Sequence, residues 1–361
     1  MTHKEVLTVG NPVALGFGAM RLPDADQTAQ MVDAYLQAGY NYFDTAWIYG
    51  DSEEKLNKTL VSRHARDSFL LADKLPPWEV KNTRDCERIF DTQLKRLGVD
   101  YIDFYLVHSL DDGGEEAVEA KDLFGFVKKK KDAGYIKHMG FSFHGTSAYL
   151  ERLLQRHPEV EFIMLQLNYA DILAGPAGEW QALARKYNKP FIVMEPVKGG
   201  GLAKLPAPAE ALLKAHAPNR SIASWAIQYA ATLEGATVML SGMSNMAQLQ
   251  DNLKTFKDLK PLTPDEHNLL SQVMGEISKV AAIPCTACKY CHAHCPENID
   301  IASCFGLYNG VKMGDAHWNR ANMYRTLAKR AEHCIECGAC QPYCPQKVDI
   351  IAGLKEVASA F

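Results

Sequence analysis

The 361-residue sequence predicts an α/β protein: a (β/α)8 TIM barrel followed by a small, mainly helical, cysteine-rich domain. Three observations predict it. Short apolar runs alternate with amphipathic helical stretches from residue 13 to about residue 240; there are eight such runs; and nine of the ten cysteines fall after residue 284. An open, doubly wound sheet is the alternative for the first part, but it would need fewer strands or a different split. Eight strand–helix units over roughly 250 residues match a closed parallel barrel.

The strand candidates are residues 13–20, 40–44, 69–73, 102–108, 138–142, 162–166, 191–195 and 237–241. Each is short and mostly apolar, as parallel strands covered on both faces are. Between them, residues 27–38 and 84–97 carry apolar side chains at helical spacing, with Gly39 and Gly98 as C-terminal stops. Asp51 and Glu54 fit a capping box. Thr263-Pro264-Asp265-Glu266 opens a further helix, with a cap, a proline in the first turn and a glutamate at the third position. That helix is expected to close the barrel. The division is therefore a barrel over 1–280 and a second domain over 281–361, in which 315–330 reads as helical.

Composition excludes several classes. Hydrophobic content of 47% and charged content of 23% are ordinary for a soluble globular protein. A net charge of -4 and a pI near 6.3 give no reason to expect nucleic acid or an anionic membrane as partner. The basic run 128–131 reads as a solvated helix face. No apolar stretch approaches the roughly 18 residues that would cross a bilayer. The N-terminal Met1-Thr-His-Lys-Glu lacks the apolar core of a signal peptide, so a cytoplasmic protein is expected.

The cysteines carry the strongest motif. Cys285-x-x-Cys288-x-x-Cys291-x-x-x-Cys295-Pro296 recurs as Cys334-x-x-Cys337-x-x-Cys340-x-x-x-Cys344-Pro345. Three cysteines at this spacing wrap one face of an iron–sulfur cube, and the fourth, before proline, ligates the other cube. One [4Fe–4S] cluster is thus assigned to Cys285, Cys288, Cys291 and Cys344, and the second to Cys334, Cys337, Cys340 and Cys295. Zinc also uses C-x-x-C pairs, but seldom a third cysteine at the same spacing with a C-x-x-x-C-P ending, here present twice. The motif resembles that of two-cluster ferredoxins. The 38 residues between Cys295 and Cys334, with a helix predicted inside them, make it similar to the helical ferredoxin type, which implies electron transfer. Cys86 and Cys304 lie outside the motif and read as packed, apolar thiols.

Barrel enzymes gather reactive groups at the C-terminal ends of strands. Asp44 ends the second predicted strand, with Tyr49 five residues on; Lys74 follows the third, and His108 ends the fourth. An ammonium beside a phenol lowers the phenol pKa, an aspartate holds the lysine charged, and a histidine can orient a carbonyl. In this order the four resemble the tetrad of the aldo-keto reductase family, and the resemblance covers roughly the first three-quarters of the chain. It implies that Tyr49 is a general acid delivering a proton to a carbonyl oxygen as hydride arrives from NAD(P)H, tuned by Lys74 and Asp44 while His108 positions the substrate. Ser142, Gln166 and Asn168 match family positions near the nicotinamide, and Gly242, Ser244, Gln248 and Asn252 match the phosphate-binding stretch that leads into a helix N-terminus. Phe143, Met194, Gly242 and Gln248 depart from the residues common there. Gln248 replaces an arginine that grips a 2′-phosphate, which weakens the case for NADPH over NADH and leaves room for a flavin.

The reading is an oxidoreductase acting on a small-molecule carbonyl or alcohol, with two clusters serving a redox partner protein or the barrel cofactor. Alternatives are a flavin-containing electron-transfer enzyme, a barrel reductase whose clusters are structural, and an electron carrier with a degenerate barrel.

Overall fold

The computed structural model describes residues 1–10, 13–174, 177–279, 282–285, 289, 291–312, 315, 317–344 and 347–361. Eight parallel strands, β1 (Ala14–Gly18), β2 (Tyr42–Asp44), β3 (Leu70–Leu75), β4 (Ile102–Leu110), β5 (Ile136–Phe143), β6 (Phe162–Gln166), β7 (Phe191–Met194) and β8 (Ala236–Ser241), form a closed barrel in sequence order. β8 pairs back onto β1 with Ala14 opposite Val238. The expected barrel is therefore present, with strand ends shifted by a few residues.

Successive side chains on a strand alternate in direction. One set, including Tyr42, Leu70, Ala72, Phe104, Leu106, Phe162, Met164, Ile192, Val238 and Leu240, packs into a single core with Val6 from the N-terminal helix His3–Val6. Burying each large apolar side chain stabilises by about 1.5–3 kcal/mol. The lumen is crowded enough that a Cβ on Gly16 would lie 2.6 Å from Leu240 and 2.7 Å from Val238. The same alternation, continued two residues beyond Tyr42, Ala72, Leu106 and Met164, reaches Asp44, Lys74, His108 and Gln166, so the C-terminal end of the lumen is polar. Between β4 and β5 the register shifts from Val107 to Leu110, and Ser109 takes a positive φ of 53°. Such a bulge re-aims neighbouring side chains.

Two local expectations are corrected. Asp51 has φ -91° and ψ 15°, not the extended backbone of a capping residue, and makes no cap bond; it pairs with Lys55 at 3.2 Å while Glu54 meets Arg96 at 3.3 Å. The run 128–131 is only half solvated. Lys130 pairs with Glu87 at 2.5 Å and lies over the rings of Phe90, Phe126 and Tyr135, and Lys131 pairs with Glu161 at 2.5 Å. The helix Thr83–Leu97, by contrast, ends as expected, with Gly98 at φ 70°.

The chain divides into two compact units, Met1–Pro196 with Ser224–Thr263, and Val197–Ala223 with Pro264–Phe361. Residues 280 and 281, the expected boundary, lie outside the described residues. In the second unit, helices Ile301–Lys312, His317–Thr326 and Ile350–Ala360 enclose a core that includes Ile283, Phe305, Tyr324, Leu354 and Val357. The helix expected over 315–330 is thus shorter. Among the described residues no helix is long and apolar enough to cross a membrane.

Candidate functional site

Asp44, Lys74 and His108 are buried at the C-terminal end of the lumen, with Tyr49 half-buried in the turn after β2. The Lys74 Nζ donates to Asp44 Oδ1 at 2.5 Å and to the Thr45 carbonyl at 2.6 Å. It sits 5.1 Å from the centre of the Tyr49 ring. The Tyr49 and His108 rings meet edge to face, 6.1 Å between centroids. The four expected residues are thus brought together. Two of their polar atoms, Asp44 Oδ2 and His108 Nδ1, are buried without a hydrogen-bond partner among the described residues.

Burial opposes the Lys74 ammonium, but Asp44 and Tyr49 outweigh it and hold its pKa above the ordinary lysine value. Burial raises Asp44, with Lys74 opposing the rise. Burial also raises Tyr49; Lys74 pulls it down as anticipated, but Asp44 and Glu195 push the other way and the phenol ends above its usual value. The expected depression is therefore corrected: desolvation is the larger effect, and Tyr49 keeps its proton at neutral pH. Burial, then Lys74, push His108 well below the ordinary histidine range, so its imidazole is neutral. The arrangement holds a protonated phenol, a fixed cation and a neutral imidazole around one end of the lumen, suited to donating a proton to an oxygen that gains charge.

The matched cofactor positions are placed unequally. Ser142 is buried on β5, and its Oγ accepts from the Ser109 backbone N–H at 2.7 Å. Gln166 Nε2 donates to Asp171 Oδ2 at 2.8 Å, and Asn168 Nδ2 donates to the same oxygen at 2.7 Å and to the Glu195 carbonyl at 3.1 Å. Asn168 Oδ1 accepts from Asp171 N, so its amide is committed within the protein. After β8, Gly242 is exposed; Asn245 caps the helix Met246–Lys257; and Gln248 Oε1 takes the Ser244 N–H at 2.7 Å. Asn252 is buried and donates to Ser241 Oγ at 2.7 Å.

In the second unit the described residues of the two cysteine loops share several backbone features. Lys289 and Gly338, which follow the second cysteine of each motif, both have positive φ, 61° and 72°. Asn298 and Lys347, three residues after Cys295 and Cys344, do likewise at 53° and 52°. The Ile299 N–H points to Cys295 Sγ at 3.5 Å and the Val348 N–H to Cys344 Sγ at 3.4 Å. His294 and Tyr343, immediately before those cysteines, stack with ring centres 3.3 Å apart. A cavity is lined by Cys295, Cys334, Cys337 and Cys340, walled by Ile299, Ile301 and Leu354. Burial pushes the Cys291 thiol up to about 11, and Cys285, Cys340 and Cys344 are close enough to add to the rise. Cys285 and Cys344 belong to the set expected with Cys291 and Cys340 to the other, so cysteines of both sets lie near Cys291; Cys288 lies outside the described residues. No disulfide joins any two of the nine described cysteines. No three His, Cys, Asp or Glu side chains among the described residues converge on one metal ion. Four thiols lining one cavity are the donor number that a [4Fe–4S] cube takes.

Residues 14–274 match the family model of the aldo/keto reductases. The chain belongs to the aldo/keto reductase family. Residues 284–348 match a 4Fe-4S dicluster domain fused behind the reductase barrel. An aldo-keto reductase of Mycolicibacterium smegmatis is 33% identical over 144 residues, 39% of this chain and 50% of that protein. Another from the same organism is 28% identical over 265 residues, 71% of this chain and 85% of its own. Against several curated relatives the chain thus spans about half their length. Among solved structures, the holo form of a Bacillus halodurans aldo-keto reductase superposes with TM-score 0.60 at 25% identity, covering 74% of this chain and 95% of that one. A Klebsiella pneumoniae aldo-keto reductase in complex with NADPH, at 20% identity and TM-score 0.59 over 72% and 89% of the two chains, shares the fold.

The reductase barrel also holds residues that sequence reasoning missed. Trp78, half exposed, lies with its ring 5.4 Å from that of His108. Its signal was its place four residues after Lys74. Asp171, on the helix Tyr169–Ala174, and the Thr45 carbonyl had no signal, because their roles rest on contacts with Gln166 of β6 and Lys74 of β3 that only folding makes.

Proposed function

We propose that this protein is an oxidoreductase that interconverts a carbonyl and an alcohol at the barrel mouth using NAD(P)H, and carries two [4Fe–4S] clusters that exchange electrons with a redox partner protein. The buried Lys74–Asp44 pair under Tyr49 carries the first half of this reading. A bound reduced nicotinamide supplies the hydride. Tyr49 delivers its proton to the substrate oxygen, and Lys74 stabilises the phenolate that remains. Asp44 keeps Lys74 charged. His108, neutral, offers a ring nitrogen to orient the same oxygen. Ser142 and Gln166 would hold the nicotinamide carboxamide, with Asn168 supporting Gln166 through Asp171. Gly242, Ser244, Gln248 and Asn252 form the candidate phosphate end, where Gln248 must release the Ser244 amide. The NADPH complex of the Klebsiella relative supports a nicotinamide cofactor in this fold.

For the clusters, Cys285, Cys288, Cys291 and Cys344 would hold one cube and Cys334, Cys337, Cys340 and Cys295 the other. The cysteine-lined cavity and the backbone N–H groups directed at Cys295 and Cys344 support the fit. Such cubes supply one-electron transfer when bound. We place the functional division at residues 280 and 281, and a reducing cytoplasmic setting suits cysteines that ligate iron.

Tyr49→Phe tests the barrel half: carbonyl turnover should collapse while dithionite still reduces the clusters. Persistence of turnover would remove Tyr49 from the chemistry. A yellow chromophore surviving iron removal would replace nicotinamide by a flavin. Unchanged NAD(P)H turnover in a cluster-free Cys337→Ser protein would assign the clusters a structural role.

A further inference from the structure

The nicotinamide seat in the proposed reading needs polarity as well as shape. A carboxamide presents one carbonyl acceptor and one amino donor, so its seat must offer a donor and an acceptor on defined sides. Neither Ser142 nor Gln166 has that polarity alone, because a hydroxyl rotates and a glutamine amide can flip.

We propose that Asp171, resting on the NAD(P)H reading above, is the positioning residue that sets this polarity and so selects a carboxamide-bearing cofactor. An ionised carboxylate only accepts hydrogen bonds, so both amides that meet its Oδ2 must turn their NH2 groups toward it. Those amides are Gln166 at 2.8 Å and Asn168 at 2.7 Å. With Nε2 held, the Oε1 of Gln166 is turned the other way and becomes the acceptor of the seat. Asn168 cannot substitute for Gln166, because its own Nδ2 is shared between Asp171 and the Glu195 carbonyl and its Oδ1 takes the Asp171 N–H.

The other half of the polarity is set from β4. Ser109 adopts its positive φ at the bulge, and its N–H donates to Ser142 Oγ at 2.7 Å. That lone pair being used, the Ser142 proton is free to point elsewhere and serves as the donor. Asp171 and Ser109 thus orient two groups that would otherwise be interchangeable. The seat accepts from an amino group at Gln166 and donates to a carbonyl at Ser142. A ring substituent with a carbonyl but no N–H leaves Gln166 Oε1 unpaired.

The test compares binding, by fluorescence or calorimetric titration of the anaerobically purified protein, of NAD+ or NADP+ (whichever the wild type binds), its 3-acetylpyridine analogue and ADP-ribose. The wild type should prefer the carboxamide form over the acetyl form by about tenfold or more, the scale of one buried unpaired acceptor. In Asp171→Asn, whose amide lets Gln166 flip, that ratio should fall toward one while ADP-ribose binds as before. Asp171→Glu, which keeps the carboxylate, should retain much of the preference. An unchanged ratio in Asp171→Asn, or equal weakening of all three ligands, overturns the assignment. A wild type that binds ADP-ribose and neither dinucleotide overturns the nicotinamide reading itself, and is recognised before any variant is made.

Discussion

Asp44→Asn removes one charge of the buried pair and keeps the shape of the side chain. At 2.5 Å and an effective dielectric of about 20, the gross attraction between Lys74 Nζ and Asp44 Oδ1 is about 6–7 kcal/mol. Desolvation of both groups offsets much of it, since Lys74 is 1% and Asp44 3% exposed. Removing a single partner nevertheless strands the other charge, and the expected loss of stability is about 3–5 kcal/mol. The pH dependence carries the sharper signature. In the wild type, Lys74 has a raised pKa, so its stabilisation is complete below the unfolded value of about 10.4 and is lost as pH rises through the folded value. In the variant burial is no longer opposed by Asp44, the folded pKa drops below the unfolded one, and stability should rise with pH between the two. Urea unfolding followed by tryptophan fluorescence from pH 7 to pH 10, anaerobically, measures both. A variant within about 1 kcal/mol of wild type, with the same pH slope, would refute the reasoning.

Three further outcomes follow. Tyr49→Phe should lower kcat/KM for carbonyl reduction by about 10²–10⁴-fold, the range of general acid catalysis, with cofactor binding retained; steady-state kinetics alongside a binding titration check this. Because His108 is held neutral by burial and by Lys74, kcat/KM should show no limb from this residue between pH 6 and 8, where an exposed histidine would titrate near 6.5; the pH profile of wild type against His108→Asn reads it. Asp73 is fully buried, and burial together with Glu53 raises its pKa well above the ordinary carboxylate value. The unfolded chain releases that proton near pH 4 while the folded one keeps it, so stability falls by up to about 1.4 kcal/mol per pH unit above pH 4 until the folded pKa is passed. Asp73→Asn, which can still accept from Lys74 N, should exceed the wild type in stability at pH 8, with the gap narrowing toward pH 4.

Much of this protein is legible without coordinates because its signals are periodic. The strands announce themselves as short Val-, Ile-, Leu- and Phe-rich runs because a parallel strand is buried on both faces. The tetrad is legible because strand alternation carries Asp44, Lys74 and His108 into one lumen two residues beyond an apolar layer. The cysteine spacing is legible because a cube demands it. What escaped depends on balances or on contacts between elements distant from one another in pattern. Tyr49 was expected to be depressed by Lys74, but the size of its desolvation is a three-dimensional quantity. Asp51 has capping chemistry and the wrong ψ. Lys130 looks like any surface lysine until Phe90, Phe126 and Tyr135 surround it. Asn168 matches a cofactor position, yet Asp171 and the Glu195 carbonyl consume its amide.

The most direct test of the crossed-cluster account is iron and acid-labile sulfide per chain in anaerobically prepared protein lacking the first cysteine arm, with Cys285 and Cys291 both changed to serine. About four irons and four sulfides should remain, held by Cys334, Cys337, Cys340 and Cys295. Adding Cys344→Ser should leave that content unchanged, and adding Cys295→Ser should lower it. The reverse pattern would contradict crossing, and zinc without sulfide in the unaltered protein would contradict the clusters themselves.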